Sequence, residues 1–325
     1  MTKIAIVGAG AMGCVLGSFL KKGGADLTLV DPDRAHMDAI REKGLILHSN
    51  ADKEDAHPEV VHMNTVYEAK DLGVQDYVII MVKGTITKLA MEGAMCLVDD
   101  HTYVVTTQNG MGNEDVIATF VPPERVIVGC LEMASIKKAP GEVYGNVFDT
   151  DIKVPLGPMV PEDKKLNEAV DKLAEIFTQG GAKSVNEGED IKTARWAKCM
   201  VNCLANPVLG LVRYDAKTAM KSPDFSRLII SLAQEGLKVA QADGAKLDFP
   251  TLMTKVLPQA KKNAGDHLPS MAQDMMIFKK QTEINTLNGH IVDLGKKYGI
   301  PTPYHETITS LIRTYQTAYD KQFYQ

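Results

Sequence analysis

The sequence predicts an α/β domain built on a parallel sheet, followed by an all-α domain. In the first part, short β-branched runs alternate with helical segments, which is typical of buried parallel strands joined by crossover helices. After Glu189 the apolar spacing is almost wholly helical. The length of 325 residues also favours two domains over one. We therefore assign residues 1–185 to the α/β domain and residues 186–325 to the helical domain.

Composition and charge exclude several classes of protein. The chain has 36 Lys and Arg and 41 Asp and Glu, so its formal net charge is −5. Proteins that bind nucleic acid require a basic face, so this charge argues against that class. No apolar run approaches the roughly 18–20 residues of a membrane span, and the first residues lack the features of a signal peptide. The five cysteines show no Cys-x-x-Cys spacing. We therefore expect them to be reduced core residues of a cytoplasmic protein that binds neither nucleic acid nor membrane.

A glycine-rich turn joins the first predicted strand to the first predicted helix. The strand runs from Lys3 to Val7, and a helical pattern follows Gly13. In a G-x-G-x-x-G turn the first glycine permits the sharp bend, the second lets a pyrophosphate approach, and the third lets the helix pack closely. The helix N-terminus then offers N–H groups to the phosphates. The segment predicts a Rossmann-type dinucleotide site made of Gly8, Ala9, Gly10, Ala11, Met12 and Gly13.

An acidic residue indicates which dinucleotide binds. A second predicted strand, residues 26–30, ends at Asp31. A carboxylate at this position accepts hydrogen bonds from both ribose hydroxyls of NAD(H) and repels the 2′-phosphate of NADP(H). Asp31 therefore favours NAD(H). Arg34 could instead bind a 2′-phosphate, so NADP(H) stays possible.

Two polar residues follow later strands of the predicted sheet. Lys83 comes after the run 77–82, and Asn109 follows the run 103–107. Ligands of open α/β sheets bind beyond the carboxyl ends of strands, so both residues are candidates for contacts with the nicotinamide half. A turn at Asn109 and a solvated charge at Lys83 are the alternatives. The rest of this domain is predicted as a strand at 126–129, a strand pair at 141–144 and 152–157 that closes the sheet, and a helix at 162–178.

The first helix of the second domain carries a polar stripe. Lys198, Asn202 and Asn206 recur at i, i+4 and i+8, so they share one helix face. Asparagine is a poor helix former, and the other residues here are largely apolar. The stripe indicates an enclosed polar site in which the lysine could transfer a proton, with a purely structural network as the alternative. The predicted helices are 191–212, 223–243, 250–263, 275–298 and 303–320.

A second polar cluster lies downstream. Ser270 follows Pro269 at the head of a predicted helix, where capping is its ordinary role. Glu283 falls within the helical periodicity of 275–298, where a surface acid is ordinary. Residue spacing alone leaves these roles open.

Taken together, these segments resemble the ketopantoate reductase (2-dehydropantoate 2-reductase) family over essentially the whole chain. The resemblance implies a Rossmann domain followed by a helical domain like that of 6-phosphogluconate dehydrogenase, with the active site in the cleft between them. It also implies a homodimer. The matching segments are the glycine turn, Val82-Lys83, Gln108-Asn109-Gly110, Trp196-Ala197-Lys198, Asn202, Asn206-Pro207, Ser270-Met271, Gln273-Asp274, Thr282-Glu283-Ile284, Asn288-Gly289 and Pro301-Thr302-Pro303.

The resemblance also implies roles for the site residues. Lys198 resembles the catalytic lysine, whose ammonium protonates the carbonyl oxygen while hydride arrives from the nicotinamide. Glu283 matches an acid near the nicotinamide and the lysine, which holds the ammonium charged and oriented. The remaining matches are contacts: Asn202, Asn206 and Ser270 to the substrate, Asn109 to substrate and cofactor, and Lys83 to the cofactor.

Three departures from the family pattern bear on substrate and cofactor. Asp31 stands where members that use NADPH commonly carry arginine, and a further substrate-binding asparagine is replaced at or near Asp215-Ala216. One residue more than expected separates Asp274 from Glu283. The first hypothesis is a reductase of 2-dehydropantoate. The others are an NADH-dependent (R)-2-hydroxyacid dehydrogenase for branched or aromatic 2-oxoacids, and a non-catalytic NAD(H)-sensing protein.

Overall fold

The computed structural model describes residues 1–48, 58–131, 133, 135–145, 152–264 and 268–322. The chain divides into two compact units. The first comprises Met1–Gln108 and Asn113–Ile191, and the second comprises Asn109–Gly112 and Lys192–Gln325. The second unit therefore includes a four-residue segment that is far from the rest of it in sequence.

Within the described residues, the strands of the first unit form a seven-stranded and a four-stranded sheet. The larger sheet has the order β11-β8-β7-β6-β1-β2-β5 and is parallel except for β11, which pairs antiparallel with β8. The smaller sheet has the order β4-β3-β10-β9. The strands are β1 (Lys3–Val7), β2 (Asp26–Val30), β3 (Leu45–His48), β4 (Glu59–Val61), β5 (Asn64–Val66), β6 (Tyr77–Ile80), β7 (Tyr103–Thr106), β8 (Val126–Gly129), β9 (Ser135–Ala139), β10 (Glu142–Gly145) and β11 (Leu156–Pro158).

Helices pack on the larger sheet because each has one apolar face. In the helix Lys164–Gln179, the third residue, Leu166, is buried, as are Val170 and Phe177 on the same face. Asp163 begins this helix by accepting a hydrogen bond from the Leu166 N–H at 2.7 Å. The α-helices of this unit are α1 (Ala11–Lys22), α2 (Arg34–Lys43), α3 (Thr87–Ala94), α4 (Asn113–Ile117) and α5 (Lys164–Gln179).

The prediction that residues 141–144 and 152–157 close the sheet as a pair is wrong. β11 joins the larger sheet, but β10 pairs with β3 and β9 in the smaller one. Residue patterns indicate that a segment is extended, whereas its pairing partner is set by contacts distant in sequence. The smaller sheet was not predicted for this reason.

The second unit is helical, as predicted. Its core joins Trp196 and Met200 of the first helix to Ile291 and Ile312 of the last two. Two π-helical turns, Leu252–Val256 and Asp274–Phe278, interrupt the α-helical pattern. The α-helices are α6 (Ile191–Val212), α7 (Ala216–Ala219), α8 (Pro223–Ala242), α9 (Phe249–Thr251), α10 (Leu257–Ala264), α11 (Ser270–Gln273), α12 (Asn288–Tyr298) and α13 (Pro303–Tyr315).

The predicted helix 275–298 is broken. Lys279 has φ of +50°, a left-handed conformation that ends the π-helical turn. Residues 279–287 form irregular turns, and α12 begins only at Asn288. Glu283 therefore lies in a turn and not in a helix.

Cysteines and helix lengths bear on two further predictions. Four of the five cysteines are buried, but Cys96 is exposed and is not the core residue that we expected. All five are free thiols. None of the helices in the described part of the chain is both long and apolar enough to cross a membrane.

Candidate active site

The glycine turn in the first unit has little room at its two ends. Gly8 has φ of +103°, and a Cβ there would lie 2.8 Å from the Met81 carbonyl carbon and from the Val82 nitrogen. A Cβ on Gly13 would lie 2.1 Å from the Gly8 oxygen. Both positions therefore require glycine, the first for backbone conformation and both for close packing.

Gly10 differs from the other two glycines because the space at its Cβ position is open. It is the N-cap of α1, with φ of −65° and ψ of −174°, and no side chain caps the helix. The first turn of α1 also carries no acidic residue. The N–H groups of this turn have no partner inside the helix and lie at its positive end. The turn thus fits the pyrophosphate of a dinucleotide.

Backbone N–H groups hold the carboxylate of Asp31 in place. Oδ2 accepts a hydrogen bond from the Ala9 N–H, and Oδ1 accepts one from the Asp33 N–H, both at 2.9 Å. Each carboxylate oxygen has two lone pairs, so each retains an acceptor position for a ribose hydroxyl. The Arg34 guanidinium lies 4.3 Å from the ring centroid of Tyr67 and stacks on it.

A buried histidine supports this turn, and no signal in the sequence pointed to it. His36 Nδ1 accepts a hydrogen bond from the Gly141 N–H at 2.8 Å, so Nε2 carries the proton of the neutral ring and faces Cys14 Sγ at 3.4 Å. The Cys14 thiol donates to the Ala9 carbonyl at 3.3 Å. Burial lowers the pKa of His36 and raises the pKa of the Cys14 thiol, which keeps both groups neutral. The pair connects the glycine turn to the β9–β10 hairpin.

Lys83 is exposed and follows β6 by three residues. The buried Gln108 fixes the backbone just before Lys83. In the sequence this glutamine stood out only as part of the segment Gln108-Asn109-Gly110, without a role of its own. Gln108 Nε2 donates to the Val82 carbonyl at 2.7 Å and to Thr87 Oγ1 at 2.9 Å. The resulting network holds the carboxyl ends of β6 and β7 together.

In the second unit, α6 carries the polar stripe as one continuous helix. Lys198, Asn202 and Asn206 therefore share a face, with successive residues about 6 Å apart along the axis. Asn202 is buried, and the other two are half-buried. Cys199 and Cys203, each next to a stripe residue, are buried, and burial raises the pKa of the Cys203 thiol. The stripe is therefore not a solvated helix face.

The segment Asn109–Gly112 packs against the turn that carries Glu283. The Met111 N–H donates to the Thr286 carbonyl at 2.8 Å, and a Cβ on Gly110 would lie 2.3 Å from that oxygen. Thr286 Oγ1 in turn donates to the Glu283 carbonyl at 3.2 Å. The second unit thus brings the exposed Asn109 and the buried Glu283 into neighbouring segments.

Ser270 is exposed and is the first residue of α11. The N-cap is Pro269, which makes no side-chain cap bond, so the capping role considered for Ser270 is wrong. A close contact joins this region to α6, because a Cβ on Gly210 would lie 3.5 Å from the Ala272 Cα. This contact lies one helical turn beyond Asn206, so α11 packs beside the end of the stripe.

Two departures from the family pattern have structural counterparts. A π-helical turn, which spaces its hydrogen bonds at i→i+5, begins at Asp274 and accommodates an additional residue before Glu283. Asp215 is the N-cap of α7, where its two carboxylate oxygens accept from the N–H and the hydroxyl of Thr218, both at 2.8 Å. Its carboxylate is therefore engaged as a helix cap.

Two family models match most of the chain. The model described as ketopantoate reductase PanE/ApbA matches residues 4–157, and that of the C-terminal domain of the same family matches residues 190–316. The chain belongs to the ketopantoate reductase family. This membership confirms the identification made from the sequence, including the predicted Rossmann and helical architecture.

Curated relatives of this ketopantoate reductase family member are named 2-dehydropantoate 2-reductase and are moderately identical to it in sequence. A 2-dehydropantoate 2-reductase of Lactococcus lactis is 28% identical over 313 residues, which cover 96% of this chain and 97% of the relative. One from Pyrococcus abyssi is 29% identical over 313 residues and covers the same shares of the two chains.

Solved structures similar to this chain include a dehydrogenase and a reductase. A ternary structure of D-mandelate dehydrogenase with NADH and anilino(oxo)acetate has a TM-score of 0.87 at 27% identity, covering 98% of this chain and 100% of that one. A putative 2-dehydropantoate 2-reductase from Enterococcus faecalis has a TM-score of 0.75 at 27% identity and covers 99% and 100%. The ketopantoate reductase family member is thus an NAD(P)-dependent oxidoreductase that acts on a CH–OH group, as predicted.

Proposed function

We propose that this protein transfers a hydride from NADH to C2 of a 2-oxoacid and forms the (R)-2-hydroxyacid, with 2-dehydropantoate as the first candidate substrate. The observation that carries the proposal is the partly desolvated stripe of Lys198, Asn202 and Asn206 on α6. One ammonium and two amides match a substrate with a carboxylate and a carbonyl oxygen. The names of the curated relatives support the same substrate.

The first unit supplies the residues proposed for cofactor binding. The glycine turn and the first N–H groups of α1 would hold the pyrophosphate, and Lys83 would contact the cofactor. The bound dinucleotide supplies the hydride. Asp31 would accept from the ribose hydroxyls and repel a 2′-phosphate, which supports NADH over NADPH. The Arg34 guanidinium stacks on Tyr67, so it would have to leave that ring to bind a 2′-phosphate and oppose this preference.

The second unit supplies the residues proposed for catalysis. As negative charge develops on the C2 oxygen, Lys198 would donate a proton to it, and Glu283 would keep the ammonium charged and oriented. The Asn202 and Asn206 amides would bind the substrate. The Ser270 hydroxyl would contribute a further substrate contact, and Asn109 would contact both ligands.

Steady-state kinetics test this proposal. Initial rates would be measured with 2-dehydropantoate, 2-oxoisovalerate, 2-oxoisocaproate and phenylglyoxylate, each with NADH and with NADPH. We expect the highest kcat/KM with 2-dehydropantoate and NADH, and chiral analysis should give the (R)-product. NADH binding without turnover of any 2-oxoacid would refute catalysis and favour the sensing alternative.

A second candidate is a dehydrogenase for branched or aromatic 2-oxoacids. It is favoured by Asp215, whose carboxylate caps α7 at the position where the family pattern suggested a further substrate-binding amide. The D-mandelate dehydrogenase with NADH is a structural neighbour, which supports the same alternative. A higher kcat/KM for phenylglyoxylate than for 2-dehydropantoate would favour this candidate.

A cytoplasmic homodimer remains part of the proposal. Exposed apolar side chains in the second unit, including Val212, Tyr214 and Met220, support association through the helical unit. Light scattering of the purified protein tests the dimer, and cell fractionation tests the location.

A further inference from the structure

A proline inside the helix that carries the polar stripe removes one of its backbone hydrogen bonds. Pro207 lies inside α6 and has no N–H, so it cannot donate to the carbonyl of Cys203 four residues earlier. Cys203 is fully buried, which keeps water from replacing the lost bond. The carbonyl that loses its helical donor, that of Cys203, lies between Asn202 and Asn206, and prolines inside helices commonly bend them. The relative orientation of the two amides thus depends on how this turn is held.

Asn288 supplies the missing hydrogen bond. It is the first residue of α12 and is fully buried. Its Nδ2 lies 3.0 Å from the Cys203 carbonyl oxygen and 3.0 Å from His305 Nδ1. The two hydrogens of one amide nitrogen therefore serve two acceptors on two different helices.

The surrounding groups fix the orientation of this amide. His305 Nε2 lies 2.9 Å from the Leu232 carbonyl oxygen, so Nε2 must carry the proton and Nδ1 must accept. Glu235 fixes the histidine further, because its carboxylate accepts from the N–H groups of Tyr304 and His305 at 3.1 Å. Helices α6, α8, α12 and α13 are thus joined by one chain of hydrogen bonds that passes through Asn288.

We propose that Asn288 is a positioning residue, which fixes the backbone of α6 in the turn before Pro207 and thereby the orientation of the Asn202 and Asn206 amides toward a 2-oxoacid. The role rests on the proposed function, since these amides are the proposed substrate contacts. If the Asn288 amide served only to join helices, it would be needed whether or not residue 207 had an N–H to donate to the Cys203 carbonyl. The proposal therefore predicts that the effect of Asn288 depends on the proline.

A double-mutant cycle between Asn288 and Pro207 tests this dependence. Asn288→Ala should lower kcat/KM for the 2-oxoacid by roughly tenfold or more, while the Kd of NADH stays within about twofold. Pro207→Ala provides an N–H for the Cys203 carbonyl. In that background Asn288→Ala should therefore change kcat/KM by less than about threefold. Equal losses in the two backgrounds would overturn the proposal.

A destabilised control separates positioning from loss of stability. Ile312→Val removes a buried methyl group from the core of the second unit but leaves the bond between Asn288 and Cys203. It should lower Tm while leaving kcat/KM unchanged. A loss of kcat/KM equal to that of Asn288→Ala would mean that destabilisation alone explains the kinetics. If Asn288→Ala does not fold, the double variant should fold, and failure of both would contradict the dependence on Pro207.

Amide hydrogen exchange of the full-length protein provides a measurement that does not require turnover. Asn288→Ala should speed exchange in peptides covering residues 203–210, and Pro207→Ala should largely reverse this. If that pattern is found but no 2-oxoacid is reduced by the wild type, the proposed function fails while the link between Asn288 and α6 stands. If the wild type reduces a 2-oxoacid but exchange and kinetics of Asn288→Ala match it, the positioning role fails alone.

Discussion

The buried histidine of α13 makes the stability of the second unit depend on pH. His305 is fully buried, and burial lowers its pKa from the ordinary value of 6.5 to about 4. Its two ring nitrogens already face the Leu232 carbonyl and the Asn288 amide. A second ring proton would therefore point at the Asn288 donor, so the folded state excludes it.

The direction of the pH dependence follows from whether the folded or the unfolded state binds the proton. Well above pH 6.5 the histidine is neutral in both the folded and the unfolded state, and it contributes no pH dependence. Between pH 6.5 and about pH 4 the unfolded chain binds a proton that the folded chain does not, so the free energy of unfolding falls as the pH falls. At about 1.4 kcal/mol per pH unit, this interval corresponds to a loss of about 3 kcal/mol.

Urea unfolding at a series of pH values measures this loss. The only tryptophan of the chain, Trp196, is buried in α6, so its fluorescence reports on the second unit. His305→Gln is the matched variant, because glutamine keeps a donor and an acceptor but cannot be protonated. The wild type should lose about 3 kcal/mol more than the variant between pH 6.5 and pH 4. If the free energy of unfolding falls equally with pH in the two proteins, the assignment of this loss to His305 is wrong.

Four substitutions test the site itself. Lys198→Ala should lower kcat by at least about 100-fold with NADH binding retained, and near-normal turnover would exclude it as the proton donor. Asp31→Arg should shift the kcat/KM preference from NADH toward NADPH, and an unchanged ratio would mean that Asp31 does not contact the ribose. Glu283→Gln should reduce kcat more than NADH affinity, whereas a loss of affinity alone would assign it to the cofactor. A Cβ at Gly10 meets no atom within 4 Å, and an aspartate there can cap α1, so Gly10→Asp should leave Tm unchanged while the Kd of NADH rises roughly tenfold or more, unlike in the uncharged control Gly10→Ser.

Local patterns explain which parts of the fold were predictable. The β1–α1–β2 segment was predicted because strand, glycine turn and helix are each encoded by neighbouring residues. The position of Asp31 followed from the same segment. For α6, the predicted bounds 191–212 agree with Ile191–Val212, since its apolar spacing is uninterrupted. The stripe of Lys198, Asn202 and Asn206 could be derived from that helix alone.

Non-local contacts explain what was missed. Nothing near β10 indicates that it pairs with β3, which lies about a hundred residues earlier. The spacing of Ile284, Leu287 and Ile291 is helical, although Lys279 adopts a left-handed backbone and Glu283 lies in a turn. Such a break depends on the packing of the whole second unit, because lysine itself does not favour this conformation.

The four residues Asn109–Gly112 determine where this chain can be divided. They belong to the second unit, and Met111 is part of its core although the flanking residues belong to the first. A recombinant fragment starting at Lys192 would therefore carry an open apolar site where Met111 packs, and it would lack Asn109. Separate expression of the helical unit thus requires a peptide containing residues 109–112 to be added back or fused. A cut made at the boundary between the two family models would remove part of the second unit's core.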